Sequence, residues 1–149
     1  MIGIDPGESG GIVKLDEFGG VVFSDKFAGK TEHDVAELLR EYALADVVHD
    51  RVYIESVHSM PKQGVASSFK FGRSFGFLLG LLTGMKITYD MVTPQAWQKH
   101  MGCLTRGDKN ISKAAAQRRW PTEKWTHATA DAGLIAEYGR QRRLILCHP

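Results

Sequence analysis

Two short apolar runs in this chain each end on a carboxylate, and that limits the folds open to it. Ile2-Gly3-Ile4 leads into Asp5, and Pro6-Gly7 then turns the chain. Tyr53-Ile54 leads into Glu55 within a β-branched and aromatic stretch. A carboxylate desolvated at a sheet is costly unless it is paired or bound to metal, and Glu is depleted in strands. Two readings stand for each residue. Asp5 caps its own turn and Glu55 faces solvent at a sheet edge, or both belong to one polar site.

Around these runs the pattern reads as an α/β chain. The first strand spans residues 1–5. Two further apolar runs, 11–15 and 21–24, flank Asp16-Glu17-Phe18-Gly19-Gly20 and read as a hairpin. Thr31 and Asp34 stand at capping-box spacing, and Val35, Leu38, Leu39 and Tyr42 follow at helical spacing. Residues 51–57 read as a strand, 64–84 as an apolar helix and 86–92 as another strand. Gly72, Gly76, Gly80 and Gly84 share one face of that helix. Each costs about 1 kcal/mol of helix propensity, which close packing against a sheet would offset. Thr93-Pro94 opens a helix over 94–100. Asp108 caps one over 109–120, which Pro121 stops, and Thr126 caps the last, 127 to about 140. The order predicts a mixed sheet, antiparallel at first and then parallel, flanked by helices.

Size and composition fit one domain over residues 1–149: 43% hydrophobic and 24% charged. The two cysteines are far apart, and Cys147-His148 lacks a zinc-site partner motif. With no apolar leader ahead of the first strand, a cytoplasmic location is expected. The longest uncharged run, 74–85, is shorter than the ~20 residues a membrane span needs. The net charge is only +2, but residues 1–60 carry 5 basic and 12 acidic side chains and residues 61–149 carry 14 and 5. A basic half fits a polyanion such as DNA, unless folding mixes the charges.

The third carboxylate is Asp131, in His127-Ala128-Thr129-Ala130-Asp131-Ala132. His127 and Asp131 are four apart and share a helix face. The small neighbours would let that helix approach a sheet and carry Asp131 over the strand carboxylates. The alternative is an Asp that favours the helix N-terminus. Three converging carboxylates would select a hard cation, Mg²⁺ or Mn²⁺. Two such ions can clamp the attacking and leaving oxygens of a phosphodiester. Their mutual repulsion would raise at least one pKa without metal.

Ile2-Gly3-Ile4-Asp5-Pro6-Gly7, Ile54-Glu55-Ser56-Val57, the Gly-rich helix after it and Ala130-Asp131-Ala132 resemble the RuvC family of Holliday-junction resolvases, in family order across nearly the whole chain. The length and the starting strand look most like its phage or prophage branch. The resemblance implies a ribonuclease-H-like fold and a homodimer cutting opposed strands of a four-way junction. It also implies Mg²⁺ or Mn²⁺, two ions per site, and 5′-phosphate and 3′-hydroxyl ends. Asp5, Glu55 and Asp131 match the family's catalytic, metal-binding carboxylates. The family usually has a further Asp where Ala128 stands here, and His127 is the nearest substitute, as metal ligand or proton-transfer group. Lys99 and Lys109 match family lysines that can hold a phosphate oxygen, Lys109 within the catalytic set. His58 stands where the family often stacks an aromatic residue on a junction base, and with Met60 and Lys62 it would form a junction-facing loop. Arg73 and Lys113 are candidate phosphate contacts. Phe69, Phe71, Phe75 and Phe77 are read as core or dimer interface.

Two other readings remain. A junction-binding module with a decayed site would explain Ala128. An actin-like phosphate-loop ATPase would explain Asp5-x-Gly7, but the chain is about half the length expected for that two-domain arrangement and lacks the second glycine-rich motif. No nucleotide cofactor and no membrane partner are expected.

Overall fold

The computed structural model describes residues 1–43, 51–56 and 64–147, the last three without their side chains. The chain runs β1 (Ile2–Asp5), β2 (Gly11–Leu15), β3 (Val21–Lys26), α1 (Glu32–Ala43), β4 (Val52–Glu55), α2 (Val65–Gly84), β5 (Tyr89–Val92), α3 (Pro94–His100), α4 (Lys109–Arg119) and α5 (His127–Cys147). The strands form one sheet in the order β3-β2-β1-β4-β5. β1 to β3 pair antiparallel; β4 joins β1, and β5 joins β4, in parallel. This is the mixed sheet expected from the element order.

Alternation along β1 and β4 divides the core into two layers. Ile2, Ile4, Val52 and Ile54 pack with Leu39 of α1 and Leu78 and Leu82 of α2. On the opposite side Val13, Leu15 and Tyr53 pack with Trp97 of α3, Ala116 of α4 and Ala132, Ile135 and Ala136 of α5. The central strands are therefore covered on both faces.

How closely α5 can lie on the sheet is set by Gly3. A Cβ there would stand 2.1 Å from the Ala132 carbonyl oxygen and 2.4 Å from the Ala136 nitrogen, both backbone atoms. At Gly11 the nearest α5 atom would be the Ala128 carbonyl carbon, at 3.3 Å. Ala128, Ala132 and Ala136 recur every four residues, so they form one small-residue face, and the helix backbone rests almost on the strands.

The caps fall where the sequence puts them. The Thr31 amide donates to Asp34 Oδ2 at 2.8 Å and the Asp34 amide to Thr31 Oγ1 at 3.2 Å, closing the capping box. The amides of Ala96, Asn110 and Thr129 donate to Thr93, Asp108 and Thr126. Glu137 of α5, fully buried, accepts from Arg119 of α4 and from Arg140 and Gln141. Burial alone would raise its pKa, but these donors hold the carboxyl below its ordinary value. The cluster fixes α4 against α5 and takes Arg119 and Arg140 out of the pool of free cations.

Four boundaries differ from the sequence reading by two residues or more. β3 continues two residues, to Lys26, because the whole segment pairs with β2. β4 ends at Glu55 and not at Val57, which lies outside the described residues. β5 starts at Tyr89, not Lys86: Lys86 has φ 57°, and the chain leaving α2 is still turning there. α5 runs on to Cys147, past Arg140.

The glycine row of α2 is the larger correction. A Cβ at Gly72, Gly76, Gly80 or Gly84 would meet nothing within 4 Å. The row faces outward, so the sheet does not offset its propensity cost. Phe69, 73% exposed, stands outside the core, whereas Phe75 and Phe77 pack at its margin.

Candidate active site

Asp5 and Glu55 end neighbouring parallel strands. Ile4 pairs with Ile54, so the next step of the register sets Asp5 beside Glu55, on strands about 4.8 Å apart. Both lie on the side of the sheet that α5 covers. Glu55 belongs to an interior strand and is half-buried, so the edge reading fails. The Asp5 carboxylate takes no hydrogen bond from the turn that follows it, so the turn-cap reading has no support among the described residues. Asp131 lies in the second turn of α5, beyond the first turn where a helix terminus acts most strongly.

The three carboxyls act on one another. Burial raises the Asp5 pKa well above its ordinary value, and the charges of Glu55 and Asp131 add to that. Burial also raises Glu55, opposed by a hydrogen bond from Trp97 and reinforced by Asp131. Burial raises Asp131 too, opposed by the neighbouring Ser112, Lys109 and His127. Among the described residues Lys109, exposed at the start of α4, is the one side chain that favours the ionised form of all three.

His127 opens α5 one turn before Asp131. Its Nδ1 lies 3.2 Å from the Lys109 carbonyl oxygen. That oxygen can only accept, so the hydrogen bond requires the proton on Nδ1. In the neutral ring Nε2 then keeps its lone pair.

A cleft of about 650 Å³ opens at this end of the sheet, lined by Asp5, Glu55, Lys109, Lys70 and Phe71 among others. A second, of about 300 Å³, shares Gly7, Glu8, Gly29 and Lys70 with it and reaches Lys30 and Arg73. Arg73 pairs with Glu32 at 2.7 Å. Lys113 lies one turn beyond Lys109 on α4. Lys99 is exposed in the last turn of α3 and does not line the carboxylate cleft. His58, Met60 and Lys62 lie outside the described residues, as does His148. Cys103 is buried and its thiol is pushed up to about 11, so it is not a reactive group.

Sequence reading missed two residues here. Trp97 donates from Nε1 to Glu55 Oε1 at 2.8 Å. The available signal was that a buried indole needs a partner for its N–H. Lys70, the lone charge in Phe69-Lys70-Phe71, lines both clefts.

Among the described residues no three His, Cys, Asp or Glu side chains are already gathered for a metal ion. The donor set nevertheless fits a hard divalent cation, being oxygen throughout on the three acidic residues. Asp131 Oδ1 is moreover buried with no hydrogen-bond partner. Such an oxygen is costly unless the group is protonated or an ion approaches it. A thermal signature follows. Below about pH 4 the unfolded carboxyls are also protonated, and the raised values cost the fold nothing. As pH rises through the raised values, the folded state ionises groups that the unfolded chain ionises more easily, and stability falls. A bound divalent ion should reverse this, by about 2.7 kcal/mol at a concentration of 100 times Kd. Melting in excess Mg²⁺ should therefore rise more at about pH 8 than at about pH 5. Equal responses at both would count against a cation among these carboxyls.

The fold matches known structures at low sequence identity. Thermus thermophilus RuvC, solved in complex with a Holliday-junction substrate, superposes with a TM-score of 0.67 at 16% identity, over 97% of this chain and 96% of that one. A second T. thermophilus RuvC structure gives 0.61 at 17%, over 97% and 96%. The yeast mitochondrial Holliday junction resolvase Ydc2 gives 0.59 at 13%, over 99% and 81%. This is the ribonuclease-H-like fold of RuvC. No family model and no curated protein matches the sequence itself. In this RuvC-like fold Asp5 and Glu55 end neighbouring strands and Asp131 stands on the helix that covers that side of the sheet.

Proposed function

We propose that this protein is a metal-dependent endonuclease that resolves four-way or other branched DNA junctions. What supports the reading is a RuvC-like fold in which the charges of Asp5, Glu55 and Asp131 act on one another, with a buried Asp131 oxygen that has no partner. Asp5, Glu55 and Asp131 would hold Mg²⁺ or Mn²⁺, two ions per site, with His127 as a further ligand through Nε2. When bound, such ions supply an activated water and charge neutralisation at the departing 3′ oxygen. The products are a 5′-phosphate and a 3′-hydroxyl.

The chain's own groups do the rest. Lys109 holds a phosphate oxygen beside the carboxyls and balances their charge. α5, seated on Gly3, fixes Asp131 relative to the two strand ends. Lys70, Lys113 and Arg73 line the path of the backbone on either side, with Lys99, His58 and Lys62 as further contacts. Sequence-independent affinity then comes from phosphates and junction shape.

The active form is a homodimer cutting opposed strands. The outward face of α2, with Val65 and Phe69 exposed beside open glycines, supports contact between copies. A second helix approaching that row would recover what the glycines cost. None of the described helices is long and apolar enough to cross a membrane, and a DNA substrate is consistent with work in the cytoplasm of a bacterial or phage-infected cell.

The test is a labelled four-way junction beside matched linear duplex, in Mg²⁺ and in Mn²⁺. Wild type should cut the junction at paired sites and spare the duplex. His127→Ala should slow cutting by at least about 100-fold, the lower end of what a lost proton-transfer group costs. Junction binding without cutting in either metal would favour the binding-module reading instead.

A further inference from the structure

The hydrogen bond between Trp97 and Glu55 follows from how the chain leaves β5. Glu55 pairs in register with Val92, the last residue of β5. Thr93 caps α3 at once, and Pro94 fixes its first turn. Trp97 therefore comes round one turn later, on the side of the sheet where Glu55 emerges. It is fully buried, in the same core layer as Tyr53, Ala132 and Ile135, so its ring has little freedom. Its Nε1 donates to Glu55 Oε1 at 2.8 Å. Among the described residues Glu55 Oε2 has no protein hydrogen bond, and Glu55 lines the carboxylate cleft.

We infer that Trp97 is a positioning residue for Glu55: its indole N–H holds Oε1, fixing the carboxylate with Oε2 as the oxygen left for a divalent cation. The inference rests on the metal-dependent reading above. An indole suits the task because it only donates and carries no charge. It can orient a carboxylate without competing for the cation or cancelling its attraction, as a lysine would. Groups that hydrogen-bond a metal-ligating carboxylate commonly set metal affinity, and losing one costs about 10- to 100-fold.

The test separates orientation from packing. Two variants are compared with wild type: Trp97→Phe, and Trp97 replaced by its isostere with sulfur in place of the indole N–H. Mn²⁺ binding is read by calorimetry and by the Mn²⁺-dependent rise in melting temperature. Junction cleavage is followed across Mn²⁺ concentration. We expect both variants to bind Mn²⁺ about 10- to 100-fold more weakly, with the cleavage rate largely recovered at saturating Mn²⁺. The isostere should melt near wild type without metal, since its shape is kept. An isostere that binds Mn²⁺ as wild type does would overturn the inference and leave Trp97 a packing residue only, while the nuclease reading stands. A wild-type protein that neither binds Mn²⁺ nor cuts a junction would overturn both.

Discussion

Glu55→Gln should stop junction cleavage and leave junction binding intact. Gln keeps the shape of the side chain and an oxygen that can accept from Trp97 Nε1, so the local packing survives. What it loses is the negative charge that makes Glu55 a ligand for a hard cation. A fall of at least about a thousandfold in single-turnover cleavage is expected, close to 4 kcal/mol of barrier. Affinity for the junction at fixed salt should change little, because phosphate contacts dominate it and Glu55 makes none. Without divalent metal, removing a negative charge beside the DNA path should tighten it slightly. Asp5→Asn should behave alike, and should also flatten the metal-free fall of stability with pH, since burial and the neighbouring carboxylates hold Asp5 well above its ordinary value. Cleavage by Glu55→Gln within tenfold of wild type would remove Glu55 from the chemistry.

The second large effect is on folding. Gly3→Ala adds one methyl group, but its Cβ would stand 2.1 Å and 2.4 Å from backbone atoms of α5. No side-chain rotation relieves a backbone clash, so the helix must lift from the sheet. Over-packing of this kind costs 1–3 kcal/mol where side chains can adjust, and here at least about 3 kcal/mol is expected. The consequence reaches the site, because the same helix carries Asp131 and His127. A Gly3→Ala protein that still folds should also lose most of its thermal response to Mg²⁺. Gly76→Ala is the control, since its methyl would meet nothing within 4 Å, and it should gain roughly 1 kcal/mol of helix propensity in the monomer. Denaturant unfolding of the two variants measures both. Equal stability of Gly3→Ala and wild type would mean that α5 does not depend on the close approach at Gly3.

Much of this was legible along the chain because it is local. The capping box at Thr31-Asp34 and the caps at Thr93, Asp108 and Thr126 are short-range hydrogen bonds, and each formed where the sequence put it. The strand motifs ending in Asp5 and Glu55, and the small residues around Asp131, carried the outline of the site, because a carboxylate on an apolar element needs a reason to be there. Strand ends were less legible. β3 outran its apolar run because pairing with β2 carried it through Asp25 and Lys26, and β5 began late because Lys86 was still turning the chain.

What the sequence determined, then, was the set of elements, their caps and the three carboxylates. What only the tertiary structure decided was which long-range partners those groups meet. The α2 glycines could face the sheet or the solvent, since a repeat of four defines a face but not its direction; packing turned it outward. Arg119 and Arg140 are two more basic residues of the positive half in sequence, and only the fold shows that the buried Glu137 pairs with both, Arg119 reaching it from a different helix. Trp97 and Glu55 are 42 positions apart, and their hydrogen bond exists only because β4 and β5 pair in register. Periodicity and capping act over a few residues, whereas contacts between elements depend on how each one is oriented when the sheet and its helices close together.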